Sequence, residues 1–200
     1  MIILDRKNKK LSVNDLNLII FYLRKGKVLV LPTDTIYGFS CLSSSKKAIK
    51  NIISLKNRPE NKPFITLVSS LSMAKKYTYC DKEQYQRLKL YWQQTKRPTT
   101  VILKAKKFIT TDITSHDQGL SMRLPKSDFL IKIIRKIKEP LISTSLNLSG
   151  QKPLTKLNNL NSIFSKKNQP DLVLDFGPSL ITRPSKLVDL RNKQVQIIRR

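Results

Sequence analysis

Two short polar segments of this chain carry side chains that could bind a substrate and stabilise charge on phosphate. The first is PTDTIYG, at positions 32–38, and the second is KNRPENKPF, at positions 56–64. Hydroxyl, acidic and glycine residues in the first segment could orient a small reactant, while Lys56 and Arg58 in the second could neutralise a polyphosphate. The residue types and their spacing indicate an enzyme that holds a small substrate beside a polyphosphate.

Each segment, taken alone, also has a purely structural interpretation. PTDT is typical of a turn whose side chains bond their own backbone, and K-x-R is typical of a solvated helix end. A third segment, PLISTSLNLSG at positions 140–150, favours function, because an apolar strand opens there directly into hydroxyls and Asn147. Open α/β sheets bind ligands at the carboxyl ends of their strands. Three polar clusters of this kind predict a binding site.

The elements that must position these clusters alternate as in an α/β domain. Ser12 as N-cap, Asp15 three residues later and Gly26 as a stop predict the first helix. Further helices are predicted at positions 45–56, 81–92 and 127–138, and an irregular polar loop at 108–119. Strands are predicted at positions 28–31 and 64–68, around 100 and 120, at the start of segment 140–150, and at 172–174, 186–190 and 195–198. There is no internal repeat or linker.

Together these segments resemble the YrdC/TsaC family of threonylcarbamoyl-AMP synthases, whose signature is K-x-R followed far downstream by S-x-N. The matching residues here are Lys56, Arg58, Ser145 and Asn147. PTDTIYG, SMRLP at positions 121–125 and RPSKLVDL at positions 183–190 resemble three further family segments. The resemblance runs from about residue 11 to the end of the chain, and four ordered motifs make it specific.

The resemblance implies one YrdC-like domain over residues 1–200. Its fold would be a twisted, open, mixed α/β sheet flanked by helices, with a basic concave cleft. The chain is similar to the short bacterial members, which lack the added carboxyl-terminal domain of longer ones.

The same resemblance implies that L-threonine, bicarbonate and ATP give L-threonylcarbamoyladenylate and pyrophosphate. Mg²⁺ would accompany ATP, with no protein-bound metal. The signature residues Lys56, Arg58, Ser145 and Asn147 would be catalytic. The residues expected to bind ATP are Arg58, Lys62, Ser145, Asn147 and Arg199. Those expected to bind threonine are Thr35, Leu67, Arg123, Ser143 and Ser185.

The chain departs from the family before its central strand. The family has W-P-G-P-x-T there, whereas this chain has TKRPTT at positions 95–100, with Lys96 and Arg97 in place of proline and glycine. Glycine permits backbone geometries that arginine enters only at a cost. A reshaped turn and a weakened or diverged enzyme both stay open at this point.

The charge of the chain has two competing explanations. Lysine and arginine number 39 against 13 acidic residues, a net charge of +26, which suits a nucleic-acid partner. A composition rich in Lys, Asn and Ile would scatter lysines over the surface without regard to function. We expect weak binding of tRNA or double-stranded RNA.

The remaining features point to an ordinary cytosolic protein. Cys41 and Cys80 lack metal-ligand spacing and are predicted to be reduced, and His116 is predicted to lie in a surface loop. No apolar run approaches the roughly 18 residues that span a bilayer, and the first residues do not resemble a signal peptide. We therefore expect no membrane association and a cytoplasmic location.

Two functions are compatible with the sequence. The first is the synthase, whose adenylate a partner transferase complex would use to modify the adenosine beside the tRNA anticodon. The second is an RNA-binding module of the same fold that acts in RNA or ribosome maturation with little catalysis. Retention of all four signature residues favours the synthase.

Overall fold

The computed structural model describes residues 1–7, 11–60, 62–158, 160–164, 168–179 and 183–199. The strands are β1 Ile2–Asp5, β2 Leu29–Leu31, β3 Gly38–Leu42, β4 Ile65–Leu67, β5 Thr99–Lys104, β6 Gly119–Arg123, β7 Leu141–Ser145, β8 Leu172–Asp175, β9 Lys186–Asp189 and β10 Gln196–Arg199. The helices are α1 Val13–Arg24, α2 Lys46–Lys56, α3 Leu71–Tyr77, α4 Lys82–Lys89, α5 Asp128–Ile137 and α6 Leu160–Ile163. A π-helical turn, Leu90–Gln94, continues α4, and a 3₁₀ turn spans Thr111–Ile113.

The chain forms two compact units. The first comprises Met1–Glu60 and Ile142–Arg183, and the second comprises Asn61–Leu141 and Pro184–Arg200. In the first unit the strand order is β1-β8-β2-β3-β7, with β8 parallel to both β1 and β2 and with β2 antiparallel to β3. In the second the order is β4-β6-β5-β9-β10, with parallel β4–β6 and β5–β9 pairs and antiparallel β5–β6 and β9–β10 pairs.

These pairings confirm the predicted class, an open, mixed α/β sheet flanked by helices. Every residue of β2 and β7 is buried or half-buried, as expected for strands covered on both faces. A single domain over residues 1–200 and a basic concave cleft stay predictions.

The helices form where local capping residues predicted them. Ser12 and Asp15 make a reciprocal capping box at α1, and Gly26 follows the helix at φ +66°. Ser45, Asp81 and Ser127 cap α2, α4 and α5 through their side chains. The predicted helix at 81–92 is α-helical only to Lys89, after which the π-helical turn carries the chain to Gln94.

Four elements were not predicted, namely β1, β3, α3 and α6. β3 is the instructive case, because it contains small and polar residues such as Ser40 and Cys41 that are fully buried. Its strand character comes from pairing with β2 and from its place beside β7, and no local pattern records those contacts. α3 has only seven residues and begins at the Ser70 cap.

The predicted surface position of His116 is confirmed, and the reduced state of the two cysteines stays a prediction. Cys41 is buried, Cys80 is half-buried, and neither is part of a disulfide within the described residues. His116 is exposed in the predicted polar loop. Over the parts of the chain that the structure describes, no helix combines the length and apolar character needed to cross a bilayer.

We predict that Asp15→Asn lowers the free energy of unfolding by about 1 to 2 kcal/mol, the scale of losing a helix cap. Asp15 accepts hydrogen bonds from the Ser12 backbone N–H and from the Arg6 guanidinium, and the Arg6 bond holds the pKa of Asp15 well below its usual range. The lowered pKa stabilises the fold at pH values above the unfolded-state pKa of about 3.9. This stabilisation is lost as pH falls from that value toward the lower pKa of the folded state. Denaturant unfolding between pH 7 and pH 2 measures both effects.

The variant should therefore show a shallower loss of stability on acidification than the parent. Asp128→Asn, which changes an exposed aspartate in the first turn of α5, is the matched control and should change little. Equal stability of Asp15→Asn and Asp128→Asn at pH 7 would contradict the prediction.

Candidate functional site

The loop after β7 is built around the side chain of Asn147. The Asn147 amide nitrogen donates to the carbonyl oxygens of Leu148 (2.9 Å) and Gln151 (2.7 Å), and its Oδ1 accepts from the Ser145 hydroxyl at 2.6 Å. The backbone N–H of Leu146 donates to the carbonyl of Tyr37 at 2.9 Å. The S-x-N motif is therefore a fixed turn at the carboxyl end of β7, beside the end of the PTDTIYG segment.

Lys56, the last residue of α2, is hydrogen-bonded to the S-x-N turn. Its side chain is only 1% exposed. The ammonium donates to the carbonyl oxygens of Ser145 and Asn147 and to Oδ1 of Asn147 at 2.9 Å. An ammonium has three donors, and three protein oxygens receive them. Lys56 therefore holds the S-x-N turn in place.

Arg58 lies just beyond the same helix end. Asn57 takes a left-handed conformation with φ 48°, and the Arg58 N–H donates to the carbonyl of Ile53 at 3.0 Å, so the helix terminates in a Schellman-type turn. Burial lowers the pKa of the half-buried Arg58 guanidinium. Because a partly desolvated cation is costly, an anionic ligand at this position would offset that cost.

The PTDTIYG segment forms a tight polar loop before β3. The Thr33 hydroxyl donates to the carbonyl of Ile36 at 2.7 Å and accepts from the Thr35 N–H at 3.1 Å. The Tyr37 hydroxyl donates to the carbonyl of Gly177 at 2.8 Å. A cavity of about 210 Å³ adjoins this loop, lined by Pro32, Thr33, Thr35, Tyr37, Phe176, Gly177, Pro178 and Ser179.

Gly38 explains why the segment ends in glycine. A Cβ on this residue would lie 2.8 Å from the carbonyl oxygen of Thr144 and 3.0 Å from the Ser143 hydroxyl. Real Cβ atoms do not approach backbone oxygens so closely, so only glycine lets β3 lie against β7 here. Ser143 is buried beside Gly38.

Within the second unit, Ser185 is hydrogen-bonded to Thr100 and Arg199. The Ser185 hydroxyl shares a 2.8 Å hydrogen bond with the Thr100 hydroxyl, and Arg199 donates to the Ser185 carbonyl at 3.0 Å. Burial lowers the pKa of Arg199, and the positive charges of Arg123 and Arg97 lower it further. Three guanidinium groups thus raise the local positive potential, which favours anions such as carboxylate and phosphate.

Arg123 and Leu67 are neighbours in the sheet of this unit. Leu67 of β4 is in register with Arg123 of β6, and the N–H of Val68 donates to the Arg123 carbonyl at 3.0 Å. Arg123 is 3% exposed. Lys62, also in the second unit, is exposed, so its predicted role depends on a side chain that reaches through solvent.

The structure therefore places the predicted residues in two sets. Those of the first unit are Thr35, Lys56, Arg58, Ser143, Ser145 and Asn147. Those of the second unit are Lys62, Leu67, Arg123, Ser185 and Arg199. Their assignment to substrates stays a prediction.

The sequence interpretation missed Tyr37 and Thr100, although both lie inside motifs that it had singled out. It also left the turn at Arg97 open. Among the described residues, the non-glycine positions with positive φ are Asn57, Gln118 and Lys138. Arg97 is not one of them, so arginine enters this turn without the cost that replacing glycine suggested. The Thr95 hydroxyl anchors the turn to the carbonyl of Tyr91 at 2.7 Å.

The chain thus has an open, mixed α/β fold in which a buried lysine fixes a hydroxyl-rich turn at the carboxyl end of β7. The family model of Sua5, YciO and YrdC, described as telomere recombination, matches residues 22–200. The chain therefore belongs to the Sua5/YciO/YrdC family.

Individual relatives are similar over most of the chain. A Methanocaldococcus jannaschii protein, provisionally named a threonylcarbamoyl-AMP synthase, is 30% identical over 96% of this chain and 93% of its own length. The threonylcarbamoyl-AMP synthase of Vibrio vulnificus is 27% identical over 92% of this chain and 97% of its own length.

A solved structure shares the fold. The crystal structure of P. abyssi Sua5 complexed with L-threonine has a TM-score of 0.87 and 23% identity, and the match covers 100% of this chain. The chain spans 57% of the Sua5 chain. A structural match at this level of sequence identity shows the fold alone.

We predict that Lys56→Met lowers the free energy of unfolding by about 2 to 4 kcal/mol, because it leaves the oxygens of Ser145 and Asn147 without their donor. Thermal and denaturant unfolding measure the loss. Lys50→Met, which changes an exposed lysine of the same helix, is the control and should leave stability nearly unchanged. A Lys56→Met protein as stable as Lys50→Met would show that the turn does not depend on the ammonium.

Proposed function

We propose that this protein is an L-threonylcarbamoyladenylate synthase, a nucleotidyltransferase that converts L-threonine, bicarbonate and ATP to L-threonylcarbamoyladenylate and pyrophosphate. Family membership and relatives named for this activity support the proposal. Sua5, which shares the fold, was crystallised with L-threonine. All four residues of the K-x-R and S-x-N signature are present.

One observation carries the proposal: the buried ammonium of Lys56 fixes the Ser145–Asn147 turn at the end of β7. Lys56 lies two residues before Arg58 in the chain. A preorganised polar turn stabilises charge without reorganising during the reaction. A lysine at a solvated helix end would be exposed and would not make three hydrogen bonds to one loop. The geometry therefore suits a catalytic turn better than a surface helix end.

The chemistry needs charge stabilisation more than a strong base. The threonine amine and bicarbonate form a carbamate with loss of water. A carbamate oxygen then attacks the α-phosphorus of ATP, and the bond to the bridging oxygen breaks, so that pyrophosphate leaves with the electron pair. In our proposal Arg58 neutralises the phosphates through its bidentate fork, and the Ser145 and Asn147 turn binds nucleotide or carbamate. Lys62 and Arg199 add cationic contacts to ATP.

Threonine recognition is assigned to a second set of residues. Arg123 pairs with the threonine carboxylate, since a guanidinium matches a carboxylate in two parallel hydrogen bonds. Ser185 lies within the same arginine-rich region. The other residues assigned to threonine are Thr35, Ser143 and the backbone of Leu67.

Mg²⁺ enters as the complex with ATP, where it shares the charge of the phosphates. Within the described residues no three His, Cys, Asp or Glu side chains come together as metal ligands. No step of the proposal passes through a protein-bound metal.

The product is an activated acyl adenylate, so a transferase complex must consume it. We propose that this partner modifies the adenosine beside the tRNA anticodon in the cytoplasm, and that the protein itself binds tRNA weakly. An RNA-binding module without catalysis is not favoured, because the named relatives are synthases.

The experiment that tests the proposal is release of pyrophosphate from ATP and Mg²⁺ in the presence of threonine and bicarbonate. We expect release only when both are supplied, and a loss of about 2 to 4 kcal/mol of transition-state stabilisation in Arg58→Ala, the scale of removing one preorganised donor. Lys50→Ala, an exposed lysine of α2, is the matched control. Release without threonine, or none with every substrate present, would overturn the proposal.

We predict that Arg123→Lys raises the KM for threonine by tenfold or more and leaves the KM for ATP nearly unchanged. A lysine is a point charge and cannot reproduce the planar fork of arginine. Steady-state kinetics with each substrate varied in turn measures the two constants. Equal changes in both would place Arg123 away from the threonine carboxylate.

A further inference from the structure

A surface of the second unit combines aromatic rings with lysines and contains none of the residues assigned above. Tyr79, Lys104 and Phe108 are exposed there, and Tyr77 and Lys106 are half-buried. We call these five residues the aromatic–lysine platform. Their positions come from two chain segments, the end of α3 and the end of β5.

Backbone pairing sets the platform residues side by side. Thr78 and Ala105 form an antiparallel bridge, and both side chains are buried. The N–H of Tyr79 donates to the carbonyl of Lys104 at 2.9 Å. Because successive side chains of an extended segment point to opposite faces, the exposed Tyr79 and Lys104 lie on the face opposite the buried pair.

The rings are more exposed than aromatic side chains usually are. Phe108 is 63% exposed and Tyr79 is 48% exposed. The Tyr77 and Phe108 rings lie 6.0 Å apart between centroids, tilted by 55°. Clustered apolar surface of this kind in contact with water marks a binding surface.

The charges around the rings are mainly positive. Lys75 and Lys76 in the last turn of α3 and Lys107 beside Phe108 are exposed and add to the two lysines of the platform. A carboxylate is also nearby: burial and the negative charge of Glu139 raise the pKa of the Tyr77 hydroxyl. This excess of cations complements a polyanion.

The platform is remote from the arginine-rich region of the same unit. Thr100, which contacts Ser185, and Lys104 lie at opposite ends of β5. Four residues of extended strand separate them by about 13 Å. A small molecule bound at Ser185 would therefore lie about four strand residues away from Lys104.

We propose that the aromatic–lysine platform binds an unpaired strand of RNA, with bases stacked on Tyr79 and Phe108 and phosphates in contact with the lysines. Stacking needs accessible base faces, which a duplex keeps inside its own stack, so the platform selects single strands. The choice of RNA over DNA rests on the proposed function, whose product serves tRNA modification. The stacking surface itself does not depend on the synthase chemistry.

The test is the affinity of the full-length protein for a fluorescein-labelled, unstructured RNA of about ten nucleotides, a length within the range that such surfaces bind. Tyr79→Ala and Phe108→Ala should each weaken binding about tenfold, the loss of one stacked base. Phe21→Ala is the matched control, because Phe21 is 55% exposed with the Lys25 ammonium 5.7 Å from its ring centroid and lies in the first unit. It should bind as the parent does.

Two further measurements separate stacking from general charge. Tyr79→Leu keeps the apolar bulk without the aromatic face and should weaken binding as Tyr79→Ala does. Lys104→Gln should reduce the slope of log K against log salt by about 0.7, as for one phosphate contact to a single strand, whereas the aromatic variants should leave the slope unchanged. Thermal unfolding of each variant confirms that it is folded.

Three results would overturn the proposal: parent-like affinity in both alanine variants, an equal loss in Phe21→Ala, or binding of an RNA duplex as tight as that of the RNA strand. Synthesis of the adenylate from small molecules should be unchanged in Tyr79→Ala and Phe108→Ala. A parent that makes no adenylate yet binds RNA through these rings would refute the proposed function and leave the stacking surface in place.

Discussion

The buried ammonium of Lys56 is the interaction on which the first unit's candidate site depends. It joins the last turn of α2 to the turn that follows β7. A charge placed where only 1% of its side chain meets water is costly unless oxygens surround it, and the turn supplies those oxygens. The same contacts that make the lysine tolerable also fix Ser145 and Asn147, so stability and preorganisation have one source.

The arginines show a different arrangement. Arg58 is half-buried, and burial lowers its pKa, whereas the pKa of Arg199 is lowered by burial and by two neighbouring positive charges. Such groups are held at an energetic cost in the protein alone. A ligand that carries negative charge would remove part of that cost: at Arg58 it would offset desolvation, and at Arg199 it would offset both desolvation and repulsion between the arginines.

Much of the fold could be predicted because its determinants are local. Helix caps such as Ser12, Ser45 and Ser127 act within three residues of their partners, and β2 is an unbroken apolar run. β3 could not be predicted, since Ser40 and Cys41 become strand residues through pairing with β2 and through the place of β3 beside β7. The site followed the same rule. Motifs gave the identities of Lys56, Ser145 and Asn147, but the bond between Lys56 and Ser145 spans 89 positions. That Lys56 organises the turn is visible only in three dimensions.

Gly38 has a consequence for how the first unit can move. With the Thr144 carbonyl 2.8 Å from where a side chain would start, β3 and β7 are in contact along their backbones, and neither can slide without displacing the other. The Leu146 N–H donates a hydrogen bond to the Tyr37 carbonyl at the same place. The loop that contains Thr35 and the turn that contains Asn147 are therefore joined through main-chain atoms. A ligand that displaces one of these segments would displace the other as well, so the two move as one rigid unit.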